Sequence, residues 1–230
     1  MGVAIRRAGE GDREDVVRLL DAAFMQDPVS SWIFPEEERR LRLHGGLMGA
    51  FFDIALSEGY VDVTEDGAAV ALWWSVPAGG GDAGDRDTGD EDAGGGELGE
   101  AAAGEGAGDE DGPALLRRIV DPGNERVEVI GRLTDAIHPT DRAHEYLHLI
   151  AVHPDRQGEG LGTELVAAVL ERCDREGTHA YLEASNTRSR DLYARLGFEI
   201  MSTTLDLPDG PRMWPMWRDP GAAVAKRSTS

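Results

Sequence analysis

Val152-His153-Pro154-Asp155-Arg156-Gln157-Gly158-Glu159-Gly160-Leu161-Gly162-Thr163 links an apolar run, Tyr146 to Val152, to a stretch in which Leu161, Leu165, Val166, Val169 and Leu170 recur at helical spacing. The order is strand, glycine-rich turn, helix start. Glycines let the backbone curl until several N–H groups converge, and the partial positive charge of a helix N-terminus adds to them. Such a junction binds anions, so the segment predicts a phosphate-bearing cofactor.

Spacing narrows the choice. A dinucleotide fold places Gly-x-Gly-x-x-Gly directly after its strand, whereas here His153 to Gln157 intervene and the glycines fall at 158, 160 and 162. A nucleoside-triphosphate loop ends in Gly-Lys-Ser/Thr, and Gly162-Thr163 follows no such lysine. The stretch resembles instead the acyl-CoA pyrophosphate loop of the GCN5-related N-acetyltransferases (GNAT), Gln/Arg-x-x-Gly-x-Gly/Ala, matched by Gln157, Gly160 and Gly162. Downstream, Ala180-Tyr181-Leu182-Glu183-Ala184 reads as a strand and Ser185-Asn186 as a helix cap. The following Tyr193-Ala194-Arg195-Leu196-Gly197-Phe198 is similar to a second hallmark of that superfamily. The segment Leu207 to Met216 resembles the ending of its puromycin N-acetyltransferase subgroup, and the strong likeness runs from 144 to 219.

The resemblance implies acetyl-CoA as cofactor and direct transfer of its acetyl group to a primary amine of a small molecule, an antibiotic or amino-nucleoside among the candidates. Two alternatives stay open: acetylation of a protein N-terminus or lysine, and a non-catalytic acyl-CoA-binding regulatory module. The resemblance also implies that the backbone of Gln157, Gly158, Glu159, Gly160, Leu161, Gly162 and Thr163 takes the pyrophosphate. The open edge of Leu149, Ile150, Ala151 and Val152 would take the pantetheine amides. Arg156 is the expected charge complement, with Glu159 turned to solvent. Asn186, Ser189 and Tyr193 complete the cofactor set, although Asn186 reads equally well as a plain N-cap.

Acetyl transfer needs a base for the amine and a proton for the departing sulfur. The resemblance makes Tyr193 the donor, a phenol with an ordinary pKa of ~10. Two residues compete as base: His148, in phase with Tyr146 and Ile150, and Glu183, an acid inside an apolar strand and out of phase with Leu182. The acceptor pocket is expected from Phe24, Asp27, Trp32, Phe34, Trp214 and Trp217, with Trp73-Trp74 in the sheet core. No metal site is expected. Cys173, the sole cysteine, reads as a packed helix thiol.

At 230 residues the chain can bury one good core. Its formal charge of −21 is concentrated: residues 78–112 hold twelve acids against Arg86, a net −11. That stretch is almost entirely Gly, Ala, Asp and Glu, and it predicts a disordered insert. The remainder is only moderately acidic, which argues against nucleic acid as partner. No apolar run approaches a membrane span and Met1 to Glu10 lacks a signal-peptide core, so the expected location is cytoplasmic, as monomer or homodimer. Lys226 is the only lysine among 23 basic residues, a bias of GC-rich bacterial genomes.

The elements read as strand Val3–Arg7 and a helix from Asp12 that Asp27-Pro28 stops. Helical stretches Glu36–Leu43 and Gly46–Leu56 follow, then strands Tyr60–Thr64 and Ala68–Ser75. After the insert come helices Pro113–Val120 and Asn124–His138, strand Glu145–Val152, the loop and helix, and strand Ala180–Ala184. A helix to Arg195 and two closing strands, Phe198–Leu207 and Met213–Arg218, end the series. Strands early and βαβ late predict an α/β chain with a mixed sheet. The resemblance makes it the GNAT fold: about seven mostly antiparallel strands, flanking helices, and a splayed parallel pair at the acyl-CoA site. One domain, 1–219, would carry the insert, with a flexible tail over 220–230.

Overall fold

The computed structural model describes residues 3–79 and 112–222. In chain order these form β1 (Ile5–Arg7), α1 (Arg13–Phe24), α2 (Pro28–Ile33), α3 (Glu37–Glu58), β2 (Tyr60–Thr64), β3 (Ala69–Val76), α4 (Gly112–Val120) and α5 (Glu125–Ile137). Next come β4 (His144–Val152), α6 (Leu161–Glu176), β5 (His179–Ala184), α7 (Thr187–Arg195), β6 (Glu199–Ile200), β7 (Leu205–Asp206) and β8 (Arg212–Arg218). The sheet order is β1-β2-β3-β4-β5-β8-β6, with β7 also on β8. All pairings are antiparallel except β4 with β5. The α/β architecture and the parallel pair are as the sequence predicts. Most of the expected insert, residues 80–111, and most of the expected tail, 223–230, lie outside the described residues.

Three boundaries differ from the sequence reading. Asp27-Pro28 does not simply end a helix: Asp27 caps the short α2, accepting from the Val29 N–H at 2.9 Å, and Pro28 takes the first turn, where its missing N–H costs nothing. Gly45-Gly46 does not interrupt α3, because Leu47, Met48, Phe52 and Ala55 bury one face of it. The run Phe198–Leu207 is not one strand but the two-residue β6 and β7, both on β8.

The parallel pairing of β4 with β5 stops at Leu147↔Leu182, and beyond it the strands splay. On its other edge β4 carries a bulge. Leu72 of β3 faces Leu149 while Trp73 faces Leu147, leaving His148 as the extra residue. The bulge resets the alternation. Leu147 packs with Ala71, Trp73 and α6 on one face, whereas Leu149 and Ala151 pack with Val70, Leu72 and the α1–α3 side on the other. The expected phase of His148 with Ile150 is therefore wrong: Ile150 joins the α6 face, while His148 keeps company with Tyr146.

Helices on the first face are tied by a buried array in which His44 Nδ1 meets Asp21 Oδ1 at 2.7 Å and Nε2 meets the Ser30 hydroxyl at 2.9 Å. His44 is fully enclosed with both nitrogens occupied, so the array acts as a polar tie between α1, α2 and α3. On the second face Leu161, Leu165, Val166, Val169 and Leu170 are buried against the sheet, as their spacing requires. Cys173 is buried there too, its thiol pushed up to about 11 by burial.

Candidate active site

One cavity of about 480 Å³ opens at the splay of β4 and β5. The loop, β4 and α7 form one end, and α1, α2, α3, α4 and α5 form the other. Gly158, Gly160, Leu161, Gly162, Thr163 and the Gln157 side of the loop line the first end. Gly158 and Gly160 have φ of +89° and +92°, left-handed values that admit glycine cheaply. Gly162 is packed so closely that a Cβ would lie 3.3 Å from Val152 Cγ2. The first N–H groups of the sixteen-residue α6 have no partner within their helix and open onto this cradle. Leu149, Ile150, Ala151 and Val152 also line the cavity, on the β4 edge that β5 leaves unpaired.

Two loop charges lie elsewhere. Arg156 spends its guanidinium on Glu159 (2.7 Å) and Asp66 (3.2 Å), and neither Arg156 nor Glu159 lines the cavity. Two acids beside Arg156 outcompete an inward orientation. The cations that do line the cavity are Arg188 and Arg195 of α7, with Arg188 donating to the Gln157 side chain at 3.3 Å. Sequence reasoning missed both; their i, i+7 spacing on the helix after Asn186 is the signal that could have found them.

On the cavity wall Tyr146 donates from its hydroxyl to Glu183 Oε2 at 2.8 Å, and that Tyr146 hydroxyl lies 3.1 Å from His148 Nδ1. Tyr146 has one proton. If Glu183 receives it, His148 must donate from Nδ1, which leaves Nε2 as the basic atom of the ring. The His148 ring is held edge-on between Phe51 and Trp74. Burial, with a smaller contribution from His138, lowers its pKa to about 4. Burial also raises the Glu183 carboxyl to about 7, although the Tyr181 and Tyr146 hydroxyls favour its anion. Glu183 Oε1 and the Tyr181 hydroxyl are buried and make no hydrogen bond of good geometry among the described residues, so Tyr181 acts on the carboxylate as a nearby hydroxyl dipole, more weakly than a formed bond would.

Tyr193 lines the same cavity from α7, buried, its pKa held well above 10 by burial and then by the charge of Asp27. Asp27 reaches across from the start of α2, accepting from the Ser185 hydroxyl at 2.7 Å and from the Asn186 amide at 3.4 Å. Asn186 caps α7, its Oδ1 accepting from the Ser189 N–H at 2.9 Å. Asn186 and Ser189 both line the cavity. Of the expected acceptor residues the structure brings Phe24 and Asp27 to the cavity and leaves the others out. Phe34 and Trp32 are buried in the core, the Trp32 indole donating to the Pro208 carbonyl at 2.8 Å. Trp214 lies under Arg190, and Trp217 packs on His144 and His179. Large apolar faces without a neighbouring void go to packing. In their place Leu47, Met48, Phe51, Val127 and Ile130 line the cavity at the helical end. No trio of His, Cys, Asp or Glu among the described residues is arranged to hold a metal ion. No helix among them is long and apolar enough to cross a membrane.

Fold and loop define a class. The sequence model of the acetyltransferase (GNAT) family matches residues 104–198. Over 75 residues it is 36% identical to an L-methionine sulfoximine/L-methionine sulfone acetyltransferase of Pseudomonas aeruginosa, covering 31% of this chain and 42% of that protein. It is 34% identical over 92 residues to a mycothiol acetyltransferase of an Arthrobacter species, covering 37% and 28%. The chain thus spans less than half the length of these relatives. In fold it is similar to a Corynebacterium glutamicum structure described as histone acetyltransferase HPA2 and related acetyltransferase, with a TM-score of 0.61, 22% identity, and 97% and 99% of the two chains covered.

Proposed function

We propose that the protein is an acetyl-CoA-dependent N-acetyltransferase that moves the acetyl group directly to a primary amine of a small molecule. The observation that carries this reading is the Glu183–Tyr146–His148 chain, set between a glycine-lined anion cradle and an apolar chamber. Acetyl-CoA would fit the residues present: N–H groups at the start of α6 for pyrophosphate, an unpaired β4 edge for amides, and Arg188 and Arg195 for remaining phosphate charge. When bound, it supplies a thioester whose carbonyl an amine can attack. The partial relatives, named for small acceptors, point the same way.

The chain's own groups then manage the protons. His148 Nε2 accepts the proton of the amine nitrogen. With a pKa of about 4 the ring is a poor resting place for it. The Nδ1 proton therefore passes to Tyr146 Oη as the Tyr146 proton moves to Glu183 Oε2, a carboxylate with a pKa of about 7. One proton leaves the amine and one arrives on Glu183, so the relay balances and both candidate bases serve, joined by Tyr146. Tyr193 Oη retains its proton at neutral pH and gives it to the departing sulfur; solvent then reprotonates the phenolate as Glu183 releases the amine's proton, and an acceptor that arrives as an ammonium first loses one proton to solvent.

The test is release of free thiol from acetyl-CoA by the full chain across a panel of amines, puromycin, aminoglycosides, polyamines and a lysine peptide included. Amine-dependent release with matching N-acetylated product is expected. Protein that binds acetyl-CoA and releases no thiol with any amine contradicts the reading.

A further inference from the structure

We propose that the acceptor is a primary amine on an apolar body with no carboxylate beside the nitrogen, and that α-amino acids are excluded. The inference rests on the acyltransfer reading and narrows its acceptor. The acceptor end of the cavity is walled by Phe24, Ile33, Leu47, Phe51, Val127 and Ile130, with Met48 and Leu116 alongside. No lysine or arginine side chain lines that wall among the described residues. The arginines that line the cavity are both on α7: Arg188 is bonded to the loop through Gln157, and Arg195 lies two helical turns, about 10 Å, farther along the helix.

Charge on the acceptor side has one sign. Asp27 and Glu183 contribute carboxyl groups, and burial keeps the His148 imidazole neutral near pH 7. Asp27 accepts hydrogen bonds from the Val29 N–H, the Ser185 hydroxyl and the Asn186 amide, donors that steady an anion. An incoming ammonium therefore meets carboxyl groups in the cavity wall and an apolar chamber for its body. An α-carboxylate one carbon away would be stripped of water with no lysine or arginine on that wall among the described residues to pair it, and two acids as neighbours. Burying such an unpaired charge costs enough to cut affinity by roughly 100-fold or more. The Pseudomonas relative is named for amino-acid acceptors, so the inference separates this chain from it.

Matched pairs that differ only in the carboxylate decide the matter: 2-phenylethylamine against phenylalanine, and isopentylamine against leucine. Binding of each to the full chain saturated with CoA is measured by calorimetry, and thiol release from acetyl-CoA is followed in parallel. The expected result is amine binding at least ~100-fold tighter than that of its amino acid, with kcat/KM shifted in the same direction. Equal or tighter binding of the amino acids overturns the proposal, as does binding of neither member of any pair. Selective amine binding without thiol release upholds the acceptor class while removing the acyltransfer reading.

Discussion

Glu183 faces a conflict: it is an acid in an apolar strand with one oxygen bonded to Tyr146 and the other buried without a hydrogen bond of good geometry among the described residues. Its folded pKa of about 7 lies above the ordinary carboxylate value, so the folded state holds a proton that the unfolded state releases between about pH 4.5 and 7. Stability from this group is present below that window and lost as pH rises through it. Glu183→Gln is therefore expected to raise stability above pH 7 by about 1–3 kcal/mol in urea titrations, while lowering kcat/KM by roughly 10²–10⁴-fold. His148 and His138 have the opposite sign. Their pKa values near 4 mean that stability falls as pH drops from about 6.5 toward 4, and His148→Gln should flatten part of that slope in a Tm-against-pH series. Tyr193→Phe should cost roughly 10²–10⁴-fold in kcat with cofactor affinity little changed; an unchanged kcat removes it as proton donor. That Glu183 and Tyr193 would line the cavity was legible in the sequence, one as an acid out of place and the other through its motif. Tyr146 was not, because an aromatic residue in an apolar strand is the ordinary composition of a strand, and its hydroxyl partners come from elsewhere.

The elements that shape the site differ in how far local sequence determines them. The loop into α6 is local: glycines at 158, 160 and 162 and the apolar repeat behind them suffice to locate it. Gly160→Ala places a side chain at φ +92° and is expected to weaken acetyl-CoA binding at least tenfold by calorimetry, with a fall in Tm. The bulge at His148 is not local. It exists because β3 pairs with β4 out of simple register, and only the partner strand reveals it. The acceptor wall was missed for a related reason. Phe24 of α1 was expected there, but the residues from α2, α3, α4 and α5 were not, because each helix reads as ordinary until their shared face is assembled. Aromatic residues drew attention to Trp32 and Phe34, which fill the core instead.

Across the whole molecule, the sheet is closed at its β8 end by Arg218, almost fully buried and bonded to both oxygens of Asp174 on α6 and to the Leu196 carbonyl after α7. The Asp174 carboxylate is held below its ordinary pKa chiefly by the Arg218 hydrogen bonds. Its contribution is present above the unfolded value and lost as pH falls through the lower folded one. Asp174→Asn leaves a buried guanidinium without its anion, and because Asp174 is about one-third exposed, the expected loss is about 2–4 kcal/mol in urea unfolding. The most direct measurement on the account as a whole is the pH dependence of amine-dependent thiol release by the unaltered chain and by Tyr146→Phe. The relay predicts kcat/KM rising through an apparent pKa near 7 in the unaltered chain, and in Tyr146→Phe a rate lower by roughly 10²-fold or more with that limb lost. A Tyr146→Phe variant with the rate and pH profile of the unaltered chain would contradict it.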